Sequence, residues 1–342
     1  MIAKIRRREP NAPTPRGVLD RIILWSGILL VVAVAGFGAY YSLDRQLSKP
    51  STQEGPRIEL SQYEQVVRDD PNNITNRLAL ADAYYRLDRY GDSIAQYEAA
   101  LVINDKSALA HVGLGRAKLE GGDLAGAAQS LQTVIDQSKE EDISGTLVQS
   151  AYYYLGKIAL QQQQPDEAIT QLKEATVIEL SDADAWYLLG TAYFQKGQFD
   201  EAVDAFTQAV LFVPDFTEAY EQLALVYDQQ GASGKALYAR GMIAYSKGDL
   251  DDAAEQLEAA ISASPTLSQA YSGLGLVREL QGDRDAAVLA YQQALHLEPD
   301  DFNAKNGLQR LSGASAVSPD STLPAGHPST GDGGDSQQGV TP

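Results

Sequence analysis

The chain of 342 residues contains no cysteine, which excludes disulfides, thiol nucleophiles and thiolate metal sites. Histidine is nearly as scarce. His111, His296 and His327 stand far apart, with no pair at metal-ligand spacing. Neither a G-x-x-x-x-G-K-[ST] phosphate loop nor a G-x-S-x-G nucleophile turn occurs. Carboxylates abound, but at turns and outer helix faces. Lys247-Gly248-Asp249-Leu250-Asp251-Asp252 reads as a turn, an N-cap and an acidic first turn that suits the helix dipole. The chain is therefore expected to be no enzyme, with no cofactor, no metal and no small-molecule substrate.

Cations are the minority sign, 27 against 46 acids, for a net charge of −19. Residues 1–45 hold seven basic and three acidic side chains (7 − 3 = +4), so the remainder carries −23. An acidic body makes a poor nucleic-acid binder, because phosphate contacts need clustered Lys and Arg. Anionic lipid headgroups should repel it too.

Long apolar runs are absent but for one. Ile22–Leu43 has no charged residue, and at ~1.5 Å per residue it reaches ~33 Å, enough for a hydrocarbon core of ~30 Å. Trp25 near one end and Tyr40 and Tyr41 at the other suit the interfaces. Lys4, Arg6, Arg7, Arg8, Arg16 and Arg21 precede the run, and only Arg45, Lys49 and Arg57 follow it closely. This bias predicts a single-pass anchor over 22–43, with a basic cytoplasmic N-terminus (1–21) and everything later on the far side of the cell membrane. Ala33-Val34-Ala35 has the form of a cleavage site but lies inside the apolar run, so the anchor is expected to stay uncleaved. Residues 44–57 read as a polar stalk. Residues 312–342, mostly Ser, Gly, Pro, Asp and Thr, have too little apolar surface to offset the entropy of ordering and are expected to be disordered.

Between stalk and tail the sequence repeats itself. Leu80, Leu114, Leu155, Leu189, Leu223 and Leu274 each precede a small residue: Ala81, Gly115, Gly156, Gly190, Ala224 and Gly275. Twelve residues after the small position a second one follows, at Ser93, Ala127, Ala168, Ala202 and Ala287. The period is 34, and a fixed period of this size means stacked supersecondary units. The clearest unit is 183–216. Trp186, Leu189, Gly190 and Tyr193 form one helix face, Gly197 breaks the helix, Phe199, Ala202, Phe206, Ala209 and Val210 form a second face, and Pro214 closes the unit. One such hairpin cannot bury both faces, so units must stack.

These residues resemble the tetratricopeptide repeat family almost position for position, over roughly two thirds of the chain with the weaker copies. The resemblance implies an all-α fold, a right-handed α-solenoid over 58–311. Repeats are expected at 74–107, 108–141, 149–182, 183–216, 234–267 and 268–301, with a lone second helix before the first and a capping helix at 302–311. Two irregularities stand out. About seven extra residues near 140–147 read as a longer turn. Leu223 to Leu274 is one and a half periods, so 217–233 reads as a half-repeat with one helix missing, and a kink or altered stacking angle is expected near 230–248. His111 takes the Trp position of its repeat and is expected to pack between helices.

The family uses first-helix residues to line a concave groove for protein or peptide partners. Here that implies Tyr85, Arg116, Tyr153, Lys157, Tyr187, Thr191 and Phe194 as the protein-binding set, with Asp82, Leu119, Glu221 and Asp228 beside them. Aromatic area and two cations suit an extended peptide, or a helix with an apolar stripe and some acidic character. The Lys and Asn set with which chaperone-binding members grip a C-terminal carboxylate is absent. The expected role is a membrane-anchored scaffold that recruits or assembles envelope, secretion or maturation proteins. The alternative is a permanent structural or regulatory subunit of a membrane enzyme complex.

Overall fold

The computed structural model describes residues 54–313. The apolar run 22–43, the segment 1–21, stalk residues 44–53 and tail residues 314–342 lie outside the described residues. The chain divides into two units, Met1–Gln65 and Val66–Pro342. Of the first, only the opening part of α1 (Glu54–Asp69) is described. That helix begins inside the expected stalk. Pro56 falls in its first turn, where a missing N–H costs nothing.

The second unit is a solenoid of helices in chain order: α2 (Ile74–Arg86), α3 (Tyr90–Ile103), α4 (Ala108–Glu120), α5 (Leu124–Gln137), α6 (Gly145–Gln161), α7 (Pro165–Ile178), α8 (Ala183–Gln195), α9 (Phe199–Phe212), α10 (Thr217–Gln229), α11 (Ser233–Ser246), α12 (Leu250–Ala263), α13 (Ser268–Leu280), α14 (Arg284–Leu297) and α15 (Phe302–Gly313). The described residues contain 15 helices and no strand. None is long and apolar enough to cross a membrane.

Regular helix pairs are locked by small-against-large packing sixteen residues apart. A Cβ on Gly115, Gly156 or Gly190 would come within 2.6, 2.4 and 2.7 Å of Leu131, Leu172 and Phe206. The large partners are 0% exposed, so the small position is a steric requirement of the crossing. Caps are local in the sequence. Asn73, Ser107 and Asp182 accept the amide three residues on at the first helix of a pair, as Asp123, Asp249 and Asp283 do at the second. His111 does not simply pack between helices. Its Nε2 lies 2.9 Å from the Asp105 carbonyl. Arg77 Nε and Trp186 Nε1, one and several repeats away, donate to carbonyls likewise six residues back, at 2.7 and 2.8 Å. Three unlike side chains thus pin the same inter-repeat turn.

The turn inside each pair carries one left-handed residue: Asp88, Gly122, Gln163, Gly197, Gly231, Gly248 and Gly282, at φ 58° to 88°. The next amide reaches back five residues, as from Gln198 to Tyr193 and from Asp283 to Arg278, closing a Schellman-type end. The seven extra residues before 149 do not all form a turn. The loop 138–144 has seven residues where other inter-repeat loops, such as 179–182, have four, and α6 has 17 residues where α4 has 13. Three of the extra residues lengthen the turn and four add a helical turn.

The half-repeat does have one helix fewer than two full repeats need, and a shared helix covers for it. Gly231 and Gly248 are 17 apart, and both are intra-pair turns: Ala232 donates to Tyr227 and Asp249 to Ala244. So α11 is second helix to α10 and first helix to α12, packing along both. The core passes through without a break. Tyr238 and Tyr245 border both the cluster holding Phe206, Tyr220 and Val226 and the one holding Ala253, Leu257 and Val277.

Candidate partner-binding face

The first helices of successive pairs present a ladder of acid–base contacts, each rung joining two repeats. On α2, Asp82 accepts from Arg116 of α4 at 3.0 Å, and the Tyr97 hydroxyl donates to the same carboxylate. The Arg116 guanidinium also lies 4.1 Å from the centre of the Tyr85 ring, a cation–π contact. Burial, then the Glu120 carboxylate, pushes the Tyr85 hydroxyl well above its ordinary value. The next rung joins Glu120 of α4 to Lys157 of α6 at 3.1 Å. Beyond it the Asp184 carboxyl of α8 is raised from its ordinary value, because burial and then Asp182 and Glu218 disfavour its charge, while Lys157 opposes the shift. Further along, Asp228 pairs with Arg240 at 2.5 Å and Glu221 with Lys247 at 3.4 Å.

Of the residues expected to bind a partner, Tyr85 and Arg116 come together. Tyr153 sits edge-on to Tyr154, ring centres 5.1 Å apart, and Tyr154 in turn acts on both Tyr85 and Arg116. Lys157 joins this group only through Glu120. Thr191 and Phe194 are engaged within their own repeat, and Tyr187 packs there and against the start of α10. The Tyr187 ring packs 5.7 Å from Phe206 and 5.2 Å from Phe216, and its hydroxyl is pushed up to about 12 by burial, then by Glu218 and Glu221. Thr191 donates to the Tyr187 carbonyl at 2.9 Å, and the Phe194 ring packs tilted against Phe199, centres 5.7 Å apart. Leu119, placed beside the groove by spacing, is buried, only 4% exposed. Sequence reasoning missed Glu120 and Tyr154. The signal for Glu120 was its place four residues after Arg116, one helical turn along the same face.

The arrangement is a surface of internally matched charge. Arg116 and Lys157 do not stand open to a partner's carboxylate, since each already holds one of this chain's own. A ligand that uses these cations must exchange places with Asp82 or Glu120, whereas the stretch past Asp184 is acidic without an equal share of cations.

Helix hairpins stacked in tandem, with a polar face of matched charge, define a repeat solenoid. Models of the tetratricopeptide repeat match residues 78–142, 153–215, 187–240, 234–267 and 270–305. The chain belongs to this family of protein-interaction scaffolds. No curated protein matches the chain. Similar solved structures include YrrB, described as a TPR protein with an unusual peptide-binding site (19% identity over 61% of this chain and 95% of that one, TM-score 0.39). MamA is 30% identical over 54% of this chain and 95% of its own, TM-score 0.31. The C-terminal part of a repeat protein from Cytophaga hutchinsonii is 17% identical over 74% and 94%, TM-score 0.42.

Proposed function

We propose that this scaffold is tethered to the cytoplasmic membrane by residues 22–43, with its N-terminus in the cytoplasm and its repeats outside, where it recruits or assembles envelope, secretion or maturation proteins by binding rather than by catalysis. One observation carries the tether: a 22-residue run without charge, preceded by six cations within residues 1–21. The first-helix face supports the binding role. Its ligand is an extended peptide or a helix that lays an apolar stripe along Tyr85, Tyr153 and Tyr154. An acidic side chain of that ligand displaces Glu120 from Lys157, and a basic one meets Asp184 and Glu218. Exchange of one partly exposed ion pair for another costs little, so the affinity comes from the aromatic area.

Proteinase K added to intact spheroplasts should digest the repeats and spare an N-terminal tag, and repeats protected until lysis would refute the orientation. Replacing Tyr153 and Lys157 together by alanine should abolish recovery of partners crosslinked in native membranes. Unchanged recovery would remove this face from the binding role.

A further inference from the structure

Within the solenoid, alternate helices touch along one row only, and that row changes at the shared helix. Before it, α2 touches α4, α4 touches α6, α6 touches α8 and α8 touches α10. After it, α11 touches α13 and α13 touches α15. Neither α9 with α11 nor α10 with α12 makes such a contact. Helices of a two-row stack approach one another on the inside of its curve, where the rotation from repeat to repeat creates a concave surface. The inner row therefore consists of even-numbered helices up to α10 and of odd-numbered helices from α11 on. Side chains agree. The acid that gathers a tyrosine and the next repeat's arginine is Asp82 on α2 in the first row and Glu279 on α13 in the second. Because α11 is also the outer partner of α10, the concave surface passes from one side of the helical layer to the other.

The second concave surface has its own chemistry. Glu279 of α13 and Arg310 of α15 both act on the hydroxyl of Tyr245 of α11, so side chains of three first helices converge there. Burial and then Asp215, in the turn before α10, raise that hydroxyl above its ordinary value. The Thr217 and Ser246 hydroxyls, 2.7 Å apart, fix this turn against the end of α11. Met242, 5% exposed, forms the floor, and a Cβ on Gly273 would come within 3.2 Å of its sulfur. Tyr238, Leu276 and Asn306 are half-buried at inner positions of the same three helices. Neither the Tyr245 hydroxyl nor the Asn306 amide makes a hydrogen bond among the described residues.

The charges here are spent on one another. The helices α11, α13 and α15 carry five cations. Arg240 holds Asp228, Arg278 holds Glu258, Lys305 holds Asp300 and Arg310 holds Glu279, while Lys235 lies 5.5 Å over the Tyr227 ring. Lys247, just past α11, holds Glu221, and Asp301 caps α15. Asp215 is exposed and forms no ion pair among the described residues. A highly charged ligand would have to break these pairs, whereas an apolar one would not.

We propose that this second concave surface binds an extended apolar segment of a partner protein, uncharged but for one basic side chain that meets Asp215, while the first row of helices keeps its own ligand. Tyr238, Tyr245 and Leu276 give the apolar contact, and the Tyr245 hydroxyl and Asn306 amide meet the segment's backbone. The two surfaces open on opposite sides, so the chain bridges two partners instead of holding one.

Full-length protein with p-benzoylphenylalanine in place of Asn306 is irradiated in native cells, and the crosslinked peptide is sequenced by mass spectrometry. That peptide should be apolar with a single Lys or Arg. Asp215→Lys, at an exposed position, should reduce the product about tenfold while the circular dichroism stays helical. Alanine at both Tyr153 and Lys157 should leave the product in place, which separates this surface from the first. The same probe at Leu289, 67% exposed on the outer helix α14, should not form it. An acidic crosslinked peptide, no product from position 306, a product that survives Asp215→Lys or is lost with Tyr153 and Lys157, or the same product from position 289 would each overturn the proposal.

Discussion

The helices before and after Gly231 follow the same rules, but the stretch between them follows two rules at once. In 183–216 every position has one duty: Gly190 admits Phe206, Gly197 turns the chain and Pro214 ends the unit. In α11 the duties overlap. Ala236 is the small residue of a second helix, twelve after Ala224, and Gly241 is the small residue of a first helix, against Leu257. The position that holds Phe206 in the regular repeat is Arg240 here, and it turns outward to Asp228. A repeat array can therefore lose a helix without a gap in its core, provided one helix keeps small residues on two faces. Because neighbouring helices run antiparallel, first helices after α11 run opposite to those before it.

The largest expected contrast tests that overlap directly. Phe206→Ala removes a ring that is 0% exposed and should cost about 3–5 kcal/mol. Arg240→Ala, at the same repeat position, loses a half-exposed pair and should cost less than about 1 kcal/mol. Urea midpoints of the two variants should differ severalfold in their displacement from wild type. Equal displacements would mean that Arg240 fills a core site and that α11 is no shared helix.

A smaller effect is expected at the turns. Gly231 and Gly248 sit at φ 71° and 80° with open space where a Cβ would go, so only backbone strain opposes a side chain. Each Gly→Ala change should cost about 1–2 kcal/mol. If α11 belonged to one pair only, one of the two substitutions would be nearly silent. Gly91→Ala, also with open space but without positive φ, should be neutral or slightly stabilising and serves as the control.

Much of this was legible in the residues and some was not, for physical reasons. Steric demand writes itself plainly, so Gly115, Gly156 and Gly190 marked the crossings and Pro214 the unit boundary. The shared helix was hidden because counting from Leu223 to Leu274 finds a missing element, while α11 carries two overlaid signatures that no single period displays. The left-handed turns at Asp88 and Gln163 were invisible, since neither residue advertises positive φ as glycine does. On the candidate face, Tyr85 and Arg116, chosen by their repeat positions on two successive first helices, do meet in the structure. The Asp82–Arg116 and Glu120–Lys157 pairs, 34 and 37 residues apart, and the neighbour Tyr154 arise between helices, where only the packed solenoid sets the register.

The finest test compares two versions of one cluster, built on either side of the shared helix. Before it, the Tyr97 hydroxyl and Arg116 of the next repeat converge on Asp82. After it, the Tyr291 hydroxyl and Arg310 of the next repeat converge on Glu279, at 2.8 and 2.9 Å. Burial pushes the Glu279 carboxyl up, but Arg310 and Tyr291 outweigh it, and the group titrates below its ordinary 4.5. A carboxylate held low in the folded state adds stability that is fully present above 4.5 and is lost as pH falls through the folded value. Thermal melts should therefore show wild type above Glu279→Gln at about pH 6, with the gap closing by about pH 3. A gap that stays constant with pH would mean that the C-terminal cap is held by packing of Leu308 and Leu311 alone, and that the tyrosine–acid–arginine cluster is incidental to how successive repeats are joined.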